Sequence, residues 1–372
     1  MKNKRIRDNR IRIAFLPFLF AVLICGCSMK EEIDKRNAEG GNAIKFSEQI
    51  VCSQEKGNID NFVKRQGALM EFKDKLDVAD FSWQNETFEE EESETYAGEE
   101  CSWQGDRGSY IYTERGYIYY AAEEYGYTYA KLLYEGDGSF RTDFYERTKG
   151  ILSISEMMPE EALNAVHNII DKYGICTGNE IVYPLNDTVL NGISNEIMSD
   201  EEYEESKKEQ GGKPTKRNFT KEDEVYLVVM NVMAGEYPLY DSEYWYGRDS
   251  YDASVIWALV NKDKIIALYA DGVYEIEEKE SEISHNFSLN EAKERFVKKY
   301  QDIIFWHGAV CDNIEIRYIA VNSDTIGVYD FIPVYVFEVQ VPMTYDSSEI
   351  KDTDTYTVQK IVFDAEKGTW VE

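Results

Sequence analysis

The stretch "GSYIYTERGYIYYAAEEYGYTYAKLLYEG", Gly108 to Gly136, holds nine tyrosines, and its reading decides the fold. Tyr110 and Tyr112 alternate with Ile111, and Glu114 to Gly116 ("ERG") is a turn signal. Tyr117, Tyr119 and Tyr120 follow, then "EEYG" turns again before Tyr127, Tyr129 and Leu133. Alternation at period two, tight turns and aromatic enrichment describe an antiparallel meander. A turn at "EGDG" (Glu135 to Gly138) predicts one more strand in "SFRTDFYERT". Two readings of the tyrosines stand side by side. They are either half-buried strand formers whose hydroxyls stay wet, or a recognition face, with Tyr117, Tyr119, Tyr127 and Tyr129 as its ligand-surface candidates.

Outward from this stretch, the pattern alternates between sheet and helix. Residues 45–78 carry helical spacing at Phe62, Leu69, Phe72 and Leu76. The acidic run Glu86 to Glu100 has few large aliphatics and reads as a solvated segment. A helix is expected from Pro159, with Glu160 and Glu161 at the positive end of its dipole and Gly174 as its stop. Its apolar face is Ala162, Leu163, Val166, Ile169, Ile170 and Tyr173, and His167 sits beside that face as a boundary residue. Charge clusters, Gly-Gly and Pro214 make Glu196 to Asp223 a linker or long loop.

The second half repeats this grammar. Strands are expected at "VYLVVMNVM" (Val225 to Met233), "SVIWALV", "IIALYA" and "DGVYEI". Ser288 and Glu291 form a capping-box pattern before a helix with the stripe Leu289, Ala292, Phe296, Tyr300 and Ile303. "NIEIRYIAV", "FIPVYVFEVQV" and "TYTVQKIVFDAEKGTWVE" are three further strand regions. The expected class is therefore α+β: antiparallel β-meanders with one helix packed on each sheet, a weak internal duplication, and two subdomains. The divisions are residues 1–26 (leader), 27–44 (flexible tether), 45–195 (first domain), 196–223 (linker) and 224–372 (second domain).

The chain opens with Lys2, Lys4, Arg5, Arg7, Arg10 and Arg12, followed by an apolar run from Ile13 to Ile24. As a helix that run is about 18 Å long, short of a hydrocarbon core of about 30 Å, so it reads as the core of a signal peptide. "Ile24-Cys25-Gly26-Cys27" resembles the lipobox of bacterial lipoproteins. The resemblance implies a diacylglyceryl group on Cys27, cleavage before it, and attachment to the extracytoplasmic face of the cell membrane. The polar, charged residues after Cys27 suit a flexible tether.

The whole chain has a net charge of −31. The six basic residues at its start belong to the leader, so the mature body is more acidic still. Phosphate backbones are repelled, which excludes nucleic acid as a partner. Cys52, Cys101, Cys176 and Cys311 are widely spaced; they fit either a pair of disulfides or buried thiols. No nucleophile-elbow, P-loop or dinucleotide motif is present. His285 lies in a polar turn, and His307 stands four residues before Cys311 without other metal-ligand spacing. The loop "DSEYWYGRDSYD" offers oxygens at Asp241, Glu243, Asp249 and Asp252 as weak metal candidates, but its glycine is misplaced for a calcium loop. Tyr244, Trp245 and Tyr246 in that loop join the ligand-surface candidates. No cofactor is expected.

From Val225 to Glu372, the strand pair ending in a turn, the capped helix and the "PVYVFE" strand (Pro333 to Glu338) resemble uncharacterised lipoproteins of clostridia-type Firmicutes. The helix-plus-hairpin unit is similar to PepSY-type modules of secreted proteins. The resemblance implies no catalytic residues. The functional expectation is a membrane-tethered lipoprotein that binds or regulates an envelope protein, a peptide or a glycan without catalysis. A secreted hydrolase of cell-wall or dietary polymers and a cation-binding surface protein are the alternatives.

Overall fold

The computed structural model describes residues 44–52, 63–73, 75–81, 86–95, 98–134, 140–141, 143–197, 218–240, 255–277, 281–282, 286–300, 309–342 and 356–371. In chain order the strands begin with β1 Ile44–Cys52, β2 Val63–Leu69, β3 Phe88–Thr95, β4 Gly98–Gly105, β5 Tyr110–Glu114 and β6 Tyr117–Ala121. They continue as β7 Thr177–Leu185, β8 Val225–Ala234, β9 Tyr237–Tyr240, β10 Val255–Val260, β11 Ile265–Ala270, β12 Tyr274–Ile276 and β13 Ser281–Glu282. β14 Ala309–Asn322, β15 Tyr329–Pro342, β16 Tyr356–Asp364 and β17 Trp370–Val371 complete them. The helices are α1 Ala130–Leu133, α2 Phe144–Thr148, α3 Pro159–Ile170, α4 Asp187–Ile197 and α5 Leu289–Tyr300. The architecture is α+β with sheet that is mostly antiparallel.

β8, β10 and β11 are apolar almost throughout and nearly every residue in them is buried. A strand covered on both faces reads as a continuous apolar run rather than an alternation. These three strands form the middle of one antiparallel sheet, in the order β3–β4–β5–β6–β11–β10–β8–β7. On one face, α3 packs over β7, β8 and β10 and buries Ala162, Val166 and Ile170. Phe81 lies against Tyr120 on that face, with ring centroids 4.9 Å apart. On the other face Phe140 meets Trp257 at 5.7 Å and Phe144 meets Tyr183 at 6.0 Å.

The described residues belong to two compact units. One takes Val51–Lys293, Asn313–Glu338 and Lys360–Glu372, and holds the eight-stranded sheet. It also contains a smaller set of pairings: β2 with β12, β13 and the start of β15, β9 parallel to β14, and β17 with the end of β16. Tyr240, Ile319, Ile332, Val334, Val336 and Val362 form a second apolar cluster there. The other unit includes residues 44–50, 294–300, 309–312, 339–342 and 356–359 among those described. Within it Phe296 and Tyr300 on α5 pack ring to ring at 5.0 Å.

Local chemistry explains the helix ends. Glu161 accepts the Met158 N–H at 2.7 Å, Pro159 opens α3, and Gly174 ends the segment at φ +75. Ser288 caps α5: its hydroxyl accepts the Glu291 N–H at 3.3 Å while the Glu291 carboxylate accepts the Ser288 N–H at 2.8 Å. Asn186 caps α4 by accepting the Val189 N–H at 3.0 Å.

Several expectations are corrected. The spacing of Leu69, Phe72 and Leu76 is not helical packing, because residues 63–69 form β2 and pair with β12. The acidic run is not a loose segment; β3 and β4 form a register of eight pairs, in which charged side chains suit an edge strand. Tyr125 to Leu133 does not continue the meander but coils, with a π-helical turn over Tyr125–Tyr129 followed by α1. "DFYERT" holds α2 in place of a strand, buried through Phe144 and Thr148. The linker expected from Glu196 begins inside α4. The two-domain partition also fails. β6 pairs with β11 and β7 with β8, so the sheet runs straight through the boundary placed at 196–223. No disulfide joins Cys101, Cys176 and Cys311 to one another.

The β5–β6 turn fixes this arrangement. Gly116 has φ +70, and a Cβ there meets Leu69 Cδ2 at 2.5 Å and the Val273 carbonyl at 3.2 Å. Its N–H donates to the Met70 carbonyl and its carbonyl accepts from Val273, tying the turn to β2 and β12. Gly116→Ala is expected to lower stability by about 1–3 kcal/mol in urea unfolding, from backbone strain plus the clash; an unchanged midpoint contradicts it.

Candidate functional site

Strand register sorts the tyrosines. In β5 and β6 alternate residues are buried: Ile111, Thr113, Ile118 and Tyr120 face the core, where Phe81 meets Tyr120, and Tyr110, Tyr112, Tyr117 and Tyr119 share the opposite face, half-buried. That face reads as rows across the sheet. Ser102 pairs with Tyr112, Tyr112 with Tyr119, Tyr119 with Tyr269, and Tyr269 with Trp257. Continuing the same registers by one residue gives a second row: Glu100, Glu114, Tyr117 and Asp271.

The rings form a continuous set of contacts. Tyr112 meets Tyr117 at 5.7 Å, Tyr117 meets Tyr269 edge-on at 5.4 Å, and Tyr269 stacks on Trp257 at 5.5 Å with an interplanar angle of 7°. Trp257 then meets Tyr125 at 6.2 Å, Tyr125 meets Tyr119 at 6.4 Å, and Tyr119 meets Tyr110 at 6.5 Å. Offset and edge-on aromatic pairs of this kind contribute about 0.5–1.5 kcal/mol each beyond their buried area. Trp257, only 4% exposed, anchors the set, while Tyr110, Tyr112, Tyr117, Tyr119 and Tyr269 remain half-open.

Carboxylates line one side of this platform. Tyr112 donates to Glu114 Oε2 at 3.5 Å and also engages Glu100. Tyr269 donates to Asp271 Oδ2 at 3.1 Å, and the Gly272 N–H donates to Asp271 Oδ1 at 2.8 Å. Asp271 is buried. Glu114 titrates above the usual carboxylate range, first because it is partly desolvated, then because Glu100 and Asp271 repel its charge; the Tyr112 hydrogen bond offsets part of this. Burial, then the charges of Glu114 and Glu100, push the Tyr112 phenol up as well. Burial is likewise the main cause that pushes Tyr119 up to about 12. Tyr112 and Tyr119 are therefore neutral at pH 7 and act as hydrogen-bond donors and ring surfaces. The site is a neutral aromatic floor with a negative border.

The sequence-level candidates separate on the structure. Tyr117 and Tyr119 lie on this face. Tyr129 does not: it sits in the π-helical turn, 4% exposed, and donates to the Asp223 carbonyl at 2.7 Å. The side chain of Tyr127 lies outside the description, as do Cys27, His285, His307 and the loop with Asp241, Glu243, Tyr244, Trp245, Tyr246, Asp249 and Asp252. Among the described residues no group of three His, Cys, Asp or Glu is arranged to hold a metal ion. Sequence reasoning missed Tyr112, Tyr269, Trp257, Glu100, Glu114 and Asp271. The alternation placing Tyr110, Tyr112 and Glu114 on one face was available; the contributions of β4, β10 and β11 depend on pairings between distant segments.

His167 is a second charged cluster. Its Nδ1 lies 3.2 Å from Asp171 Oδ1 and its Nε2 lies 2.8 Å from Glu180 Oε1, so the ring joins α3 to β7. Partial burial opposes charging of the ring, but the Asp171 hydrogen bond and the Glu180 charge outweigh it, and its pKa is raised. A raised histidine stabilises the fold below its unfolded value near 6.5 and loses that contribution as pH rises through the folded value. Glu180→Gln is expected to lower the His167 pKa in an NMR titration; an unmoved titration contradicts the clamp.

For Glu114 the sign is opposite to that of a salt-bridged acid. Its folded pKa is raised, so the folded state holds the proton more tightly and this group's contribution weakens as pH rises through the window above 4.5. Glu114→Gln is expected to raise the melting temperature at pH 7 and to change it less at pH 4. A lower melting temperature at pH 7 contradicts the repulsion between Glu100, Glu114 and Asp271.

No protein-family model matches the chain, and no curated protein matches it. Among solved structures it is similar to the crystal structure of an uncharacterized protein from Eubacterium rectale ATCC 33656, with a TM-score of 0.59 and 14% identity. The similarity covers 84% of this chain and 86% of that one; at this identity it shows a shared fold.

Proposed function

We propose that this protein is a binding module of the cell envelope, held at the extracytoplasmic face of the membrane by a lipid on Cys27, and that its half-open tyrosine face holds the partner. The observation that supports binding is the aromatic row Tyr112–Tyr119–Tyr269–Trp257 with carboxylates beside it. Rings fixed by their neighbours offer contact area at little conformational cost, and phenol hydroxyls supply directional hydrogen bonds. Export is supported by the basic start, the short apolar run and the lipobox resemblance at Ile24 to Cys27. Among the described residues no helix is long and apolar enough to cross a membrane. Membership of the lipobox lipoproteins of Firmicutes, and a PepSY-like character for the C-terminal part, belong to the same proposal.

One observation favours a hydrolase as a second reading. A carboxyl group whose pKa is raised by desolvation and neighbouring acids, as at Glu114, is what a general acid requires. Release of reducing sugars from purified cell wall, abolished by Glu114→Gln, establishes that reading over the first.

Cells grown with labelled palmitate are expected to label the wild-type chain, and Cys27→Ala is expected to abolish the label; persistent labelling contradicts the anchor. Folded Tyr112→Ala and Tyr117→Ala variants are expected to lose retention on isolated cell envelopes. Retention equal to wild type contradicts the assignment of the binding face.

A further inference from the structure

The tyrosine face is covered unevenly. Over β10 and β7 it is roofed by Tyr125, Phe140 and Phe144. Over β5 and β6, Tyr110, Tyr112, Tyr117 and Tyr119 stay half-open among the described residues. Glu100, Glu114 and Asp271 border this open part in a single row, and Glu100 and Asp271 both act against the charge of Glu114. Adjacent strands are about 4.8 Å apart, so a row crossing four strands extends over about 14 Å. That span exceeds a single amine and matches two or three side chains on one extended strand, whose same-side residues repeat about every 6.8 Å.

Resting on the reading of this face as the binding surface, we propose that its occupant is an extended, lysine- or arginine-bearing segment of a partner protein. The alkyl stems of its side chains lie on Tyr112 and Tyr117, and their cationic heads reach the half-open Glu100 and Glu114, with buried Asp271 adding negative potential behind them. Each part of this geometry has a physical reason. Long basic side chains keep an apolar stem on apolar surface while the charged head stays at a polar border. Tyrosine faces attract cations through the ring quadrupole. Glu100 and Asp271 repel the charge of Glu114 in the free protein, and a cation placed beside Glu114 offsets that repulsion. A neutral glycan gains the ring contact but leaves the repulsion in place, and an anionic segment adds to it; complementarity of charge therefore selects the cationic segment.

The test uses the full-length chain purified from membranes and a fluorescein-labelled hexalysine peptide, read by fluorescence anisotropy. The control variant Glu160→Gln/Glu222→Gln removes two exposed charges, one in the first turn of α3 and one near Lys262, away from the row. Glu100→Gln/Glu114→Gln is expected to weaken binding about fivefold, with the control staying within about twofold of wild type. Tyr112→Leu is expected to weaken binding while preserving both carboxylates. Equal weakening in the two double variants overturns the proposal, since hexalysine then reports only the overall acidity of the chain. Absence of hexalysine binding, together with Tyr112-dependent retention on envelopes, overturns the cationic occupant and leaves the binding face standing. Absence of both overturns the two readings together. Because glutamine is close in shape to glutamate, near-UV circular dichroism matching wild type keeps these outcomes separate from misfolding.

Discussion

The pairing of β6 with β11 is the constraint on which the rest of the structure depends. It sets Tyr119 opposite Tyr269 and Tyr120 opposite Leu268, and in doing so joins segments about 150 residues apart into one sheet. A slip of one residue exchanges the two faces. Tyr120, wholly buried against Phe81, then turns outward, and Tyr119 turns into the core. The register is held from two sides. The alternation of β6, with Ile118 and Tyr120 inward, makes a one-residue slip costly, and Gly116 locks the β5–β6 turn beneath Leu69 and Val273.

The same pairing generates the electrostatics of the open face. β4 and β5 place Glu100 beside Glu114, and the end of β11 adds Asp271, although these acids are far apart in sequence. Like charges set side by side on a sheet cost stability, and a fold tolerates that cost more readily where a ligand relieves it. The neutral phenols nearby reinforce this. The raised pKa of Tyr112 keeps it uncharged, and Tyr112 and Tyr269 donate hydrogen bonds to Glu114 and Asp271.

How much was legible in the sequence follows from the range of each interaction. The α+β class, α3, α5 with its Ser288 cap, and the central strands could be read because apolar period and caps are local signals. Half of the tyrosine face could be read too, since Tyr110, Tyr112 and Glu114 repeat at period two. What misled the reading was equally local. Tyr125 to Leu133 looks like a continued meander, but Tyr125 and Leu132 bury into the sheet as a coil. The run of glutamates in β3 looks solvated, yet β3 pairs with β4, its one partner among the described residues, and a strand in that position tolerates charge. Asn186 could have signalled α4, yet Gly192 and the polar residues around it weaken the helical pattern. The domain boundary failed for a different reason: a linker composition at 196–223 says nothing about whether the strands on either side pair with each other.

The most direct test of the central claim is a double-mutant cycle between Tyr117 and Tyr269, which lie on different halves of the chain and meet edge-on at 5.4 Å only if β6 and β11 pair in this register. With Tyr117→Ala, Tyr269→Ala and the double variant compared by urea unfolding, the account predicts a coupling of about 0.5–1.5 kcal/mol. Strictly additive losses would mean that the two rings do not touch, and that neither the sheet nor the face is built as described.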